Sequence, residues 1–97
     1  MTPHPLIIAS DLYCDHLRSV LAELRTGQGL SQNRMAQRAG MSPQMIGYVE
    51  LGKRRPKVDI NARLALSLGE MPSAVFARVE ASIGVERLED LVRLSQL

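Results

Sequence analysis

The side chains in this chain that can do chemistry are mostly cations, hydroxyls and carboxamides, and they crowd into its middle. Arg34, Arg38, Lys53, Arg54, Arg55 and Lys57 fall between positions 31 and 58 against a single acid, Glu50, while the stretches on either side carry a small acidic excess. A basic segment between weakly acidic ends has the electrostatic form of a surface that meets nucleic acid. By charge alone, a solvated cluster without a partner would look the same. Other chemistries have little to work with. Cys14 is the only cysteine, so neither a disulfide framework nor a cysteine metal cage can form within the chain. Next to Tyr13 it reads as a small core hydrophobe rather than a redox sensor. His4 and His16 have no second ligand at helical spacing, and no Ser/His/Asp or Cys/His arrangement emerges. No metal, cofactor or catalytic residue is therefore expected, and the chain is not expected to be an enzyme. Three aromatics, Tyr13, Tyr48 and Phe76, are too few for the stacking platform of a single-strand binder.

The elements that must position these groups are all helical by pattern. With 97 residues, 45% hydrophobic and 23% charged, the chain has room for one domain with one core. Its longest apolar runs, Leu6 to Ala9 and Ala74 to Ala77, are far shorter than the ~20 residues of a membrane span. No membrane is expected as a partner, and the cytoplasm is the expected compartment. Residues 1–10, with two prolines and no formal charge, read as an N-terminal arm. Ser10 is placed to cap a first helix, in which Tyr13, Leu17, Val20, Leu21 and Leu24 recur at spacings of three and four. Gly27 and Gly29 end it, and this Gly-x-Gly is a helix stop rather than a phosphate cradle. Ser31 caps a second helix to Ala39, with Leu30, Met35, Ala36 and Ala39 inward. Gly40 turns the chain, and Ser42 caps a third helix with Pro43 in its first position and Ile46 and Val49 facing the core. Two short helices joined by a glycine turn make a helix-turn-helix arrangement. After the basic loop Lys53–Lys57, helices are predicted from about Val58 to Leu68, from Pro72 to Gly84, and from Val85 to about Gln96.

Residues 25–69 also resemble a known family. Arg25, Leu30, Ser31-Gln32, Met35-Ala36, Gly40, Ser42, Ile46, Glu50, Gly52, Arg55-Pro56, Ala65 and Leu68-Gly69 stand at the spacings of the Cro/lambda-repressor-like (XRE) helix-turn-helix family. The resemblance extends over about residues 12–83. It implies an all-α, compact five-helix DNA-binding domain over residues 11–84, with an additional C-terminal helix at 85–97. Three positions depart from the family pattern. Gly47 replaces a serine at a cost of ~1 kcal/mol in a helix interior. Asn61 replaces a core leucine, and Lys57 stands where a small polar cap is usual.

In that family the third helix lies in the major groove, which gives the outward-facing residues their implied roles. Pro43, Gln44, Gly47 and Tyr48 are the candidate base contacts. Gln44 can bond bidentately to adenine N6 and N7, and Pro43 offers only apolar contact, for example to a thymine methyl. Tyr48 can pack on a base, bond a phosphate or be partly absorbed by the core. Gly47 either permits close approach of the backbone to the duplex or is a mildly destabilising accident. Ser31, Gln32, Ser42, Lys53, Arg54 and Arg55 are the candidate phosphate contacts, the first two at a helix N-terminus with free N–H groups. For Ser42, capping alone is an equal alternative. Arg34 and Arg38 lie on the outer face of helix two. Arg25 and Glu50 match a structural pair of the family, in which the cation neutralises a carboxylate that would otherwise repel phosphate.

The resemblance implies a sequence-specific, double-stranded DNA-binding regulator of transcription, a repressor acting as a homodimer on a palindromic operator. The alternative is an antitoxin or other interaction module whose C-terminal segment binds a toxin or another partner protein. Surplus apolar surface on helices four and six points to self-association. Ile60, Leu64 and Leu66 join Val58, Ala65 and Leu68 on helix four, and helix six carries Val85, Leu88, Leu91, Val92 and Leu94. Helix six folding back on its own chain is the competing expectation.

Overall fold

Three prolines open three helices. The computed structural model describes residues 2–97, and its regular elements are α1 (Pro5–Gly27), α2 (Gln32–Ala39), α3 (Pro43–Glu50), α4 (Val58–Ser67), α5 (Pro72–Ile83) and α6 (Val85–Ser95). Pro5, Pro43 and Pro72 each take the first helical position, where the missing N–H would have no intrahelical partner in any case. Among the described residues there is no strand, in keeping with the all-α expectation.

The expected arm needs correction. Met1 lies outside the described residues, Thr2 to His4 are non-helical, and Pro5 to Ser10 are the first turns of α1. The cap is His4, whose Nδ1 accepts from the Leu6 amide at 3.1 Å. Ser10 lies inside the helix and donates its hydroxyl to the Ile7 carbonyl at 3.0 Å. The physical reason is simple. Beyond Pro5 nothing interrupts the helix before Gly27, and lack of charge does not break a helix.

The other caps are local and clear. Ser31 accepts from the Arg34 amide at 3.1 Å and Ser42 from the Met45 amide at 3.2 Å. Gly40 closes α2 at φ 69°, a left-handed conformation that glycine adopts without strain. These three residues set the short turn that holds α2 and α3 together.

One core runs through the molecule. Leu17, Val20 and Leu21 of α1 meet Met35, Ala36 and Ala39 of α2, Ile46 and Val49 of α3, Leu64 and Ala65 of α4, and Val75, Val79 and Ile83 of α5. Burying a side chain of the Leu or Ile class contributes about 1.5–3 kcal/mol, so Leu21, Ile46 and Leu64, each nearly inaccessible, anchor their helices firmly. The consequence for function lies in α3. With Ile46 and Val49 fixed inward, its outer face has only one orientation.

The C-terminal helix folds back onto α1 and α5, with Leu91 buried and Leu88 packed against the core. That packing leaves Val85, Val92, Leu94 and Leu97 exposed, together with Val58 and Leu66 on α4. Phe76 does not enter the core. It is exposed and lies beside Tyr13, ring centroids 6.3 Å apart.

Candidate nucleic-acid interface

The N-terminal turns of α2 and α3 and the loop after α3 bring most of the candidate residues to one surface. Pro43 and Gln44 are exposed on the first turn of α3, and Gly47 and Tyr48 follow half-buried on its outer side. Gln44 Nε2 donates to the phenol oxygen of Tyr48 at 2.6 Å. Lys53 Nζ and the Arg54 guanidinium carbon stand 5.9 and 5.6 Å from the Tyr48 ring centroid, within cation–π range. The outer face of α3 and the basic loop are thus one structure, joined through Tyr48.

Gly47 faces α2. A Cβ built there would stand 3.9 Å from Gln32 Oε1 and meet nothing else. Its backbone is ordinary helix, so the conformation does not require glycine. Gln32 reaches the other way as well, with Nε2 donating to Glu50 Oε1 at 3.4 Å. The hydroxyl oxygens of Ser31 and Ser42 accept from their helices, which leaves both hydroxyl protons free to donate outward. Ser42 therefore caps its helix while remaining available to a phosphate.

Beneath this surface Arg25 and Glu50 are joined as a fork. Arg25 Nε donates to Oε2 at 2.9 Å and Nη2 to Oε1 at 2.7 Å, while Nη1 donates to the Leu30 carbonyl at 2.9 Å. Hydrogen bonding to Glu50 raises the Arg25 pKa above its ordinary value against an opposing desolvation. One guanidinium ties the end of α1 to the end of α3 and to the turn into α2. It also cancels the one carboxylate of the basic middle segment.

Two features escaped the sequence reading. Arg55, a candidate phosphate contact, is paired with Asp11 of α1 at 2.8 Å. That hydrogen bond raises its pKa, and any phosphate must share the cation with Asp11. Arg18 supports the other end of the loop. Its Nη1 donates to the Glu50 carbonyl at 3.3 Å, and its guanidinium lies 3.2 Å from where a Gly52 Cβ would stand. Gly52, at φ 74°, is favoured by its left-handed backbone, and a side chain there would also press on Arg18. Arg18 stands two turns before Arg25 on α1, a spacing that sets both on one face. That was the available signal.

Asn61, where the family pattern has leucine, donates Nδ2 to the Pro56 carbonyl at 3.2 Å and so fastens the end of the basic loop. Lys57 precedes α4 without a side-chain cap. Cys14 is half-buried, as a small apolar side chain would be. No helix of the described residues is long and apolar enough to cross a membrane.

A helix-turn-helix family model matches residues 21–72, more than half of the chain and the span that carries α2, the glycine turn, α3, the basic loop and α4. No curated protein and no solved structure matches the chain. The capped helix pair, the Arg25–Glu50 fork and the outward face of α3 all lie inside the matched span. The chain belongs to the Cro/lambda-repressor-like (XRE-type) helix-turn-helix family of DNA-binding domains.

Proposed function

We propose that this protein is a repressor that binds a palindromic operator in double-stranded DNA as a homodimer, in the cytoplasm, with α3 in the major groove. In this reading it is not an enzyme and takes no cofactor. The observation that carries it is the outer face of α3, where a core-anchored helix presents Pro43, Gln44, Gly47 and Tyr48 beside exposed Lys53 and Arg54. Gln44 is the base reader. Ser31, Gln32, Ser42, Lys53 and Arg54 hold phosphates, and Arg55 joins them while shared with Asp11. The two-fold partner is supported by Val85, Val92 and Leu94, exposed on α6 after its inner face has docked, since two copies meeting there would bury these side chains, and a palindromic operator calls for two recognition helices one DNA turn, roughly 34 Å, apart.

Selection of bound duplexes from a random pool tests the reading directly. A dyad-symmetric consensus is expected, with affinity that falls with salt at a log–log slope of about −5. A slope near zero on every duplex overturns DNA binding. Sedimentation tests the dimer separately, and a monomer at tens of micromolar that Val92→Glu leaves unchanged overturns it.

A further inference from the structure

Gln44 and Tyr48 stand one helical turn apart on the outer face of α3, close enough for their side chains to meet. The carboxamide donates Nε2 to the phenol oxygen at 2.6 Å. The ring below that oxygen is itself restrained, half-buried on one side and covered by Lys53 and Arg54. A glutamine amide turned by half a revolution exchanges its donor and acceptor, and the two orientations suit different bases. Adenine offers one donor and one acceptor in the major groove, N6–H and N7, whereas guanine offers two acceptors, O6 and N7.

With one amide hydrogen committed to Tyr48, Gln44 retains an edge made of Oε1 and the remaining Nε2 hydrogen. That edge complements adenine. Against guanine it sets Oε1 opposite an acceptor. The phenol, having accepted from Gln44, still has its own hydrogen to give. A phosphate oxygen can only accept, so a Tyr48–phosphate bond keeps the relay running in the same direction, from amide to phenol to phosphate.

We infer that Tyr48 is a specificity-determining residue. It fixes the orientation of the Gln44 amide and thereby selects adenine over guanine at one position of the site, an inference that rests on the proposed function. Tyr48 acts through Gln44, as a positioning residue. The cations of the loop act through Tyr48 in turn, by holding its ring.

Tyr48→Phe is the decisive variant, because it keeps the ring and the cation stack and removes only the hydroxyl. Duplex selection with the intact protein, Gln44→Ala and Tyr48→Phe is expected to show adenine preferred at the position that Gln44→Ala relaxes. Tyr48→Phe is expected to lower the adenine-to-guanine discrimination there by about tenfold and to leave the melting temperature unchanged. Discrimination equal to that of the intact protein in Tyr48→Phe, or guanine preferred at that position by the intact protein, overturns the inference. NMR of the DNA-free protein separates this from the underlying reading. One Gln44 side-chain amide proton is expected to be shifted downfield and slowed in exchange, and to return to the free-glutamine position in Tyr48→Phe. An unshifted amide overturns the lock even if the protein binds DNA specifically. A pool without any preferred sequence overturns the proposed function, whatever the amide shows.

Discussion

The cations of this protein behave differently in its middle and in its flanks. In the flanks Arg18 pairs with Asp15, Arg25 with Glu50, Arg78 with Glu70 and Arg93 with Asp90, while Arg63 and Arg87 have no carboxylate partner among the described residues. In the middle segment Arg34, Arg38, Lys53, Arg54 and Lys57 have no carboxylate partner among the described residues, and only Arg55 is paired, through Asp11 from outside the segment. Most of the flanking pairs are exposed and contribute little to stability. Their lesson is about availability. Four of the six flanking cations are neutralised by an acid, whereas five of the six in the middle segment are not, which leaves those five free to release counterions from DNA.

The Arg25–Glu50 fork is the exception that should yield the largest effect. Both side chains are mostly covered, 15% and 12% exposed, so removing either leaves a poorly solvated charge. Arg25→Ala and Glu50→Ala are each expected to cost about 3 kcal/mol in thermal or denaturant unfolding. The double variant should lose clearly less than the sum. Strict additivity would place this pair among the weak surface bridges and erase the distinction drawn above.

On the proposed function, the middle segment divides further, into reader and positioners. Gln44→Ala should cost ~1–3 kcal/mol on the specific site and relax preference at one base position, with an unchanged salt slope. Arg54→Ala should weaken all sequences about equally and reduce the slope by about one. Identical behaviour of the two variants in a salt titration of specific and random duplexes would merge the two roles.

Gly47 gives a smaller effect with an informative sign. Its backbone is helical and a methyl group would make only an ordinary van der Waals contact with Gln32, so Gly47→Ala should raise stability by up to ~1 kcal/mol. If the glycine serves close approach to the duplex, the same variant binds DNA more weakly while melting higher. Stability and affinity rising together would make it an accident of sequence.

The smallest expected effect lies in the flank. Tyr13 donates its hydroxyl to Glu80 at 2.7 Å, and that bond, with burial behind it, pushes the phenol up to about 12 from 10. A pKa raised in the folded state contributes stability that is complete below pH 10 and is lost as pH rises toward 12. Alkaline melting curves should show that loss in the intact protein and not in Tyr13→Phe, while DNA binding at neutral pH stays the same.

The helix pair was legible in the sequence because its signals are local. Ser31 and Ser42 as caps, Pro43 in a first turn and Gly40 at positive φ concern residues within one turn of each other. The same logic applied to Pro5 would have found the true start of α1. Of the two nearby prolines, Pro3 precedes the helix and Pro5 opens it, so neither interrupts it. Gln44 and Tyr48 are both candidate base contacts by sequence, but helical spacing makes them neighbours without saying which rotamers they share, so their hydrogen bond belongs to the structure.

What the residues alone establish here is the set of helices, the inward stripes, the surplus of cations between positions 31 and 58 and the outward face of α3. Each follows from periodicity, capping and φ preference, which act over a few residues. The packed structure supplies the rest. Arg18 beneath the loop, Arg55 held by Asp11 and Glu50 held by Arg25 join residues 32, 44 and 25 positions apart. Whether such groups meet depends on how α1 crosses α3 and the loop behind it, and that crossing is set by the fit of Leu17, Leu21, Ile46 and Val49 in one core. The docking of α6 belongs to the same class, since its apolar stripe could cover this chain or another, and only the surface left open by α1 and α5 selects its inner face.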